Sequence, residues 1–467
     1  MISVPLRQKA KIIQLLALRS LSVCKAKFAS TVHEETNSAE HYDIIIGGGG
    51  LVGTTLACAL SKATELADKR ILLLEGALPF KGFRGGQYGN RVSAINNASA
   101  ELFERIGAWD HMLKERVKHV KQMQVWDASS DAMIGFQFEH FTNDVACIVE
   151  NDLMLDAVYK QLQSVDVHNV ELRTQSRIAS VQLPRDCGSA HSKITLDNGE
   201  TFSCDLLIGA DGANSIIRSQ MGVDVYSINY ESMGVVATLE LAEGAADNSV
   251  AWQRFIPSGP VALLPLNNTM SSMVWSTSQT HAQELATMPE AKFVDELNEA
   301  FCKEYPKSDI VVNALRSLNS FMGRNSDRQY PPKVCSVVEN SRACFPLGFL
   351  HASSYVCAGA ALVGDAAHRV HPLAGQGVNL GFSDVRNLVD VLSSAAYSGA
   401  KLGDKQYLMK YEQKSLTNNV PIMIGVHGLH SLYSTTFSPV VLLRSLGLQL
   451  THNIPQIKNI FMQRAIG

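Results

Sequence analysis

The 467-residue chain has no Cys-x-x-Cys pair, no internal repeat and no low-complexity linker. Its nine cysteines, Cys24, Cys58, Cys147, Cys187, Cys204, Cys302, Cys335, Cys344 and Cys357, are odd in number and scattered, so neither a disulfide framework nor a zinc site is indicated, and no metal is expected. Most of them read as small buried hydrophobes in a reducing compartment. A membrane-spanning run is also missing. The nearest approach, residues 420–443, is free of formal charge but contains Pro421, His427, His430 and Pro439. A composition 46% hydrophobic and 18% charged excludes disorder, collagen and coiled coil, and over this length it provides for two or three folded domains.

Acid is absent from both ends. Residues 1–33 contain none, while Arg7, Lys9, Lys11, Arg19, Lys25 and Lys27 supply +6; none follows Glu412, where Lys414, Arg444, Lys458 and Arg464 supply +4. With +10 at the ends, a total of −3 leaves −13 for the residues between. The whole chain therefore offers no basic footprint for a polyanion, and no nucleic acid partner is expected. The leader interleaves its cations with Ile and Leu at near-helical spacing and holds four serines before Glu34. An acid-free amphipathic helix of this kind is drawn toward a negatively polarised matrix, so residues 1–33 read as a mitochondrial presequence. The alternatives are a secretory signal, from the apolar run Ile12 to Leu18, or a solvated helix of the mature chain. Arg19, Lys25 and Lys27 behind that run argue against secretion.

The strongest motif is a glycine turn. His41-Tyr-Asp-Ile-Ile-Ile leads into Gly47-Gly-Gly-Gly-Leu-Val-Gly53, and residues 54–62 read as a helix. Gly48, Gly50 and Gly53 fit G-x-G-x-x-G behind a buried strand, which lets the backbone approach a pyrophosphate and offer it a helix N-terminus. A second apolar strand, Arg70-Ile-Leu-Leu-Leu-Glu75, ends in an acid 22 residues after Gly53, placed to accept from an adenosine ribose. Like-charge repulsion at Glu75 disfavours a 2′-phosphate, so FAD or NAD is preferred over NADP.

Two further stretches continue the pattern. Cys204-Asp-Leu-Leu-Ile-Gly-Ala-Asp211-Gly212 carries an apolar strand into an Asp-Gly turn, with Arg218 about one helical turn later. Residues 356–368 form another strand ending in Gly364-Asp365, followed by HPLAGQGVNLGFSD from His371 to Asp384. A strand-end Asp accepts from ribityl hydroxyls, and a helix starting near Gly377 aims free N–H groups at what lies above it. His368 and His371 invite an acid–base role or orient the loop through hydrogen bonds, the second being the simpler.

These three motifs in this order resemble the aromatic-ring hydroxylases of the FAD-dependent monooxygenase superfamily. Within it, HPLAGQGVNLGFSD resembles the signature of the hydroxylases of ubiquinone biosynthesis. With the leader, the chain is similar to their mitochondrial branch, the Coq-type C5 hydroxylases. The likeness runs from Tyr42 to about Asp390 and includes Gly89-Asn-Arg91-Val-Ser-Ala-Ile95 and the stretch from Gln253 to Leu266. By position, the resemblance implies that Gly48, Gly50 and Gly53 hold the FAD pyrophosphate, Glu75 the ribose, and Arg91 the ribityl and phosphate region, although Arg91 also reads as a surface ion-pair partner. It implies Asp365 at the ribityl chain and Pro372, Gly375, Gly377, Val378 and Asn379 around the ring. Asp211, Gly212 and Arg218 match a fingerprint that in relatives serves both FAD and a passing nicotinamide cofactor. No catalytic base is nominated, because the flavin carries the chemistry, through a C4a-hydroperoxide.

The fold class that follows is α/β: a discontinuous Rossmann-like FAD-binding domain interleaved with an antiparallel-sheet substrate domain, the aromatic-ring hydroxylase fold, and a helical C-terminal segment. Residues 41–222 form the FAD-binding part, with some of 80–150 lent to the substrate domain. Short strand-like runs at 233–242, 250–256, 260–266 and 269–277, then a helix at 282–303, place the substrate domain at 223–342. Residues 343–390 return to the FAD-binding part, and 391–467 are helical. The resemblance further implies hydroxylation at ring C5 of a polyprenylated hydroxybenzoate or phenol with O2. It implies electrons from ferredoxin and ferredoxin reductase, membership of a multi-protein ubiquinone-synthesis complex, and a peripheral place on the matrix side of the inner membrane. Direct oxidation of NADPH is not distinguished from that supply. The acid-free tail suits contact with an anionic membrane, packing on the FAD domain or a partner protein. A flavin halogenase is disfavoured because residues 252–257 read WQRFIP in place of Trp-x-Trp-x-Ile-Pro. A flavin-dependent isoprenoid reductase stays open, and a non-catalytic prenyl-carrier of the same fold has no need of the ring-side motif.

Overall fold

The apolar run behind His41 forms the strand Glu40–Gly47, in which Ile44, Ile45 and Ile46 are all fully buried. Burial of consecutive side chains requires cover on both faces, the mark of a parallel sheet. This strand pairs in parallel with Ile71–Leu74 on one side and Thr201–Gly209 on the other. Val170–Arg173 extends the sheet beyond the first neighbour and Ala360–Leu362 beyond the second, both in parallel. Three central strands thus end side by side in the turns at Gly47 to Gly50, Gly209 to Gly212 and Val363 to Asp365. The crevice outside the carboxyl ends of such strands is where open α/β sheets bind ligands.

This computed structural model describes residues 39–454 and 456, apart from 131, 139–143, 165, 185–189, 243–246 and 323–328. The leader at 1–33, Cys24, Cys187, Lys458 and Arg464 lie outside the described residues. The described part belongs to one compact unit from Glu40 onward, with two principal cores where two or three domains were expected.

The second core lies behind a nine-stranded sheet. Its path runs from His368–Arg369 through Ala343–Ala352, Val225–Leu241, Met270–Ser278, Gly259–Pro265, Val250–Ile256 and Gln122–Asp127 to Met133–Gln137, with Val334–Val337 beside Val225–Leu241. Trp126, Trp252 and Trp275 pack from one face against Leu285, Phe293 and Leu297 of the helices Gln279–Thr287 and Glu290–Cys302. The opposite face looks toward the strand-end turns.

Several boundaries differ from expectation. Ala343–Ala352, assigned above to the returning FAD-binding part, is an antiparallel partner of Val225–Leu241 in the larger sheet, and the return begins at Val356. One pair in that sheet, Val250–Ile256 with Gln122–Asp127, is parallel. The helix expected over 282–303 is two helices broken around Pro289, which has no N–H to continue the first. Asp309–Met322 is a further helix. Of seven described cysteines, only Cys58, Cys147 and Cys204 are buried; Cys302, Cys335 and Cys344 are exposed.

The helix expected to start near Gly377 is Gly377–Tyr397, and it is followed by Lys405–Tyr433 and Ser438–Asn453. Among the described residues no helix is long and apolar enough to cross a membrane. The last helix is fastened to the larger sheet. Arg444 is buried, pairs with Asp127 at 2.8 Å, donates to the carbonyls of Leu432 and Thr435, and lies over the Tyr433 ring. Tyr433 stacks on Phe255 at 3.7 Å, so the helices cover part of the sheet's open face.

Candidate active site

A cavity of about 630 Å³ opens where the strand-end turns of the parallel sheet face the larger sheet. Eight residues singled out by sequence line it: Gly50, Arg91, Gly212, Asp365, Pro372, Gly375, Gly377 and Val378. Two helices start at its wall. Leu51–Lys62 follows Gly50 and Gly377–Tyr397 follows Gln376, and neither has a side-chain cap or an acid in its first turn. Their unpaired N–H groups and positive dipole ends therefore serve whatever anionic or hydrogen-bonding group occupies the cavity.

The glycine turn shows why it is glycine. Gly48 has φ +111°, and a Cβ there would lie 2.4 Å from the Ala210 carbonyl oxygen; one on Gly53 would lie 1.9 Å from the Gly48 oxygen. Neither residue lines the cavity; both let the strand, turn and helix pack. Gly50 is different: a Cβ there would meet nothing within 4 Å. Its open side is the cradle that a ligand backbone fills.

Four other expected residues sit behind the wall. Glu75 accepts from the Gly49 and Ala77 N–H groups, each at 2.7 Å, and so supports the turn from beneath. One oxygen of Asp211 caps the short helix after it, accepting from Ile216 and Ile217, while Oδ1 is buried with no partner among the described residues. Arg218 ties two turns together by donating to the Ala213 and Ala366 carbonyls. Asn379, expected beside the ring, does not reach the cavity. Its amide is taken up by Asn96, Ser99, Ala94 and Gly375, which clips the segment after Arg91 to the helix.

Histidines of the third motif orient structure. His368 faces Asp384 at 2.5 Å, and both are buried. His371 accepts from Leu373 N–H through Nδ1, while its Nε2 is buried without a partner among the described residues. The His371 ring lies 4.8 Å from His430 and 5.3 Å from Tyr230. Burial, reinforced by His430, pushes His371 down to about 3; burial, reinforced by His368, pushes His351 down to about 4. Burial raises the carboxyl of Asp365, with His368 and Arg369 pulling the other way. An unfolded His titrates near 6.5, so below that pH the unfolded chain binds protons that His351 and His371 refuse. Stability should be complete above about pH 6.5 and fall by up to about 1.4 kcal/mol per pH unit for each such ring as the pH drops toward 4. Urea midpoints at about pH 7.5, 6 and 5 check this, and a level profile contradicts it.

Two groupings of ligand-type side chains occur among the described residues, His41 with His191 and Asp205, and His119 with Asp144 and Cys147; neither lines the cavity.

The sequence profile of a FAD binding domain family matches residues 41–323 and 350–418. The chain is 63% identical over 437 residues to the mitochondrial ubiquinone biosynthesis monooxygenase COQ6 of Drosophila melanogaster, covering 93% of this chain and 91% of that one. The chain belongs to the COQ6 family of flavin-dependent monooxygenases. Human COQ6 is 46% identical over 432 residues, covering 90% of this chain and 92% of its own. Among solved structures, p-nitrophenol 4-monooxygenase PnpA from Pseudomonas putida shares the fold at a TM-score of 0.66 and 16% identity, over 92% of this chain and 99% of that one. PqsL of P. aeruginosa, in complex with 2-aminobenzoylacetate, shares it at 0.65 and 20%, over 87% and 100%.

FAD, the cofactor of this COQ6 family member, fits the residues present. The open side of Gly50 and the two uncapped helix starts offer themselves to a ligand on the cavity. Several cavity residues of this COQ6 family member escaped the sequence reading, among them Asn90, Asn151, Gln253, Ser276, Phe345 and Arg369. Asn90 and Gln253 stand in the two stretches that extend the family likeness, which was the available signal.

Proposed function

We propose that the chain hydroxylates C5 of the ring of a polyprenylated hydroxybenzoate or phenol in ubiquinone biosynthesis. The observation that carries this is the cavity's asymmetry: strand-end turns and helix starts on one side, an apolar sheet face on the other. In this reading Gly48, Gly50 and Gly53 serve the pyrophosphate, the first and last by shaping the turn. Glu75 serves the ribose, Arg91 the phosphate region and Asp365 the ribityl chain, while Asp211 and Gly212 lie beside them. Pro372, Gly375, Gly377 and Val378 border the ring, and Asn379 fixes that border from behind. FAD when bound supplies the redox and oxygen chemistry. The chain's residues bind and orient both partners, and Val236, Ala262, Leu264, Val274 and Phe345 keep water from the reacting carbon.

The names of the relatives give ubiquinone biosynthesis and the mitochondrion, and neither an electron donor nor an assembly. Ferredoxin and its reductase are proposed as donors, within a multi-protein complex on the matrix side of the inner membrane. Ile424, Phe437 and Leu443, 57%, 65% and 66% exposed on or beside the last two helices, support a peripheral contact with an anionic bilayer. Replacing all three by Gln should lower recovery on cardiolipin-containing liposomes, and unchanged recovery would sink the contact. Truncation at Asn419 is a poorer test, because it also removes Arg444 from buried Asp127.

The reading as a whole is tested on the purified chain with bound FAD. Given ferredoxin, its reductase and O2, a prenylated hydroxybenzoate should gain one oxygen by mass. A gain of two hydrogens would identify an isoprenoid reductase, and reduction by NADPH alone at the same rate would overturn the ferredoxin assignment.

A further inference from the structure

The sheet wall of the cavity is a cross-strand row. Gln253 stands opposite Val125 on one neighbouring strand and Ala262 on the other; Ala262 faces Val274, and Val274 faces Val236. Directly opposed residues share a face of the sheet, and Gln253, Ala262, Val274 and Val236 all border the cavity. One primary amide therefore interrupts a row of Val and Ala. Gln253 is 7% exposed, and its side chain makes no hydrogen bond to another described residue. Its neighbours Trp252 and Arg254 turn to the opposite face, where Trp252 joins the aromatic core and Arg254 donates to the carbonyls of Ala300 and Lys303.

The Gln253 amide atoms are not sealed from the cavity and no described residue takes them up, so the cavity's occupant is the group placed to hydrogen-bond them. The amide is neutral and carries both an acceptor and a donor. A phenol donates to its oxygen, and the corresponding phenolate accepts from its nitrogen, so one side chain holds a ring hydroxyl in either protonation state. A carboxylate is better matched by the guanidinium of Arg369 on the same cavity.

Resting on the aromatic substrate proposed above, we infer that Gln253 recognises the ring hydroxyl and so fixes which ring carbon faces the flavin. It is a specificity-determining residue and neither gives nor takes a proton for good. The holo full chain, titrated with 3-geranyl-4-hydroxybenzoate and with 3-geranylbenzoate while the flavin absorbance is followed, tests this. The wild-type chain should prefer the hydroxylated probe by about tenfold or more. In Gln253→Met, which keeps the length and deletes the amide, the preference should collapse to within about twofold with the deoxy probe bound as before. Gln253→Asn withdraws the amide by one methylene and should reduce the preference; it decides the matter if the Met variant fails to fold. A wild-type preference retained in a folded variant, or an equal loss of both probes, overturns the assignment alone. A wild-type chain that holds FAD yet binds neither probe overturns the proposed substrate and this residue's role together.

Discussion

Gly53→Ala should abolish soluble, FAD-containing protein, while Gly50→Ala should leave the fold intact and remove only the cofactor. The two positions are three residues apart at the start of one helix, yet they face different obstacles. At Gly53 the new methyl would sit 1.9 Å from the Gly48 carbonyl oxygen. That oxygen belongs to backbone, and Gly48 is itself pressed against Ala210, so nothing nearby can yield cheaply. Overpacking against fixed backbone exceeds the usual range of about 1–3 kcal/mol for added methylenes. At Gly50 the methyl meets no atom within 4 Å and enters the cavity instead. Thermal unfolding of the apo chain should shift by no more than about 0.5 kcal/mol. Displacing an anion from charge-assisted N–H contacts at the helix start should weaken FAD binding on the order of a hundredfold. Flavin fluorescence titration of the refolded apo chains measures the second effect. FAD bound by Gly50→Ala with wild-type affinity would place the pyrophosphate elsewhere.

That contrast marks what the sequence made legible. Strand, glycine turn and strand-end acid are local signals, and the three turns they announced do converge on one cavity. The helix start three residues earlier than expected, at Leu51, follows from the same turn, because Gly50 is its cap. Pro289, by contrast, is a local break inside the helix expected over 282–303. Other features were not local. Which face Gln253 presents depends on its pairing with Val125 and Ala262, and no run of residues states that register. The strand Ala343–Ala352 has no composition that assigns it to one sheet over another; its pairing with Val225–Leu241 does. Arg444 and Asp127 lie 317 residues apart, so the anchor of the last helix was invisible, and only the lack of acid in that region stood out. Glu75 and Asn379 show the remaining gap: residue type and spacing identified the neighbourhood, but hydrogen bonds within the protein decide whether a side chain faces the cavity or braces its wall.

Asp384→Asn should cost about 3–5 kcal/mol, lower Tm on the order of 10 °C and loosen FAD. Asp384 is fully buried on the helix Gly377–Tyr397 and joins three other segments to it. One oxygen accepts from Gly364 N–H at 3.0 Å and faces His368 Nε2 at 2.5 Å, and the other accepts from the Asn419 amide at 2.9 Å. An Asn side chain has one oxygen and one NH2 group, so at least one buried donor loses its acceptor. Gly364 adjoins Asp365 in the cavity wall, which carries the disturbance to the flavin side. Acid titration separates this from simple loss of packing. Burial works against a charged His368, but the charge and hydrogen bond of Asp384 outweigh it and raise the ring's pKa. A raised value stabilises the fold below the unfolded pKa of about 6.5 and loses that contribution as pH rises through the folded value. In the wild-type chain this opposes the acid loss from His351 and His371. The substitution removes the Asp384 counterweight and leaves burial of His368 opposed only by Asp365 and a backbone hydrogen bond. Stability of the variant should therefore fall more steeply with acid than that of the wild-type chain. A lower Tm with an unchanged pH slope would mean that Asp384 holds the segments together without charging His368.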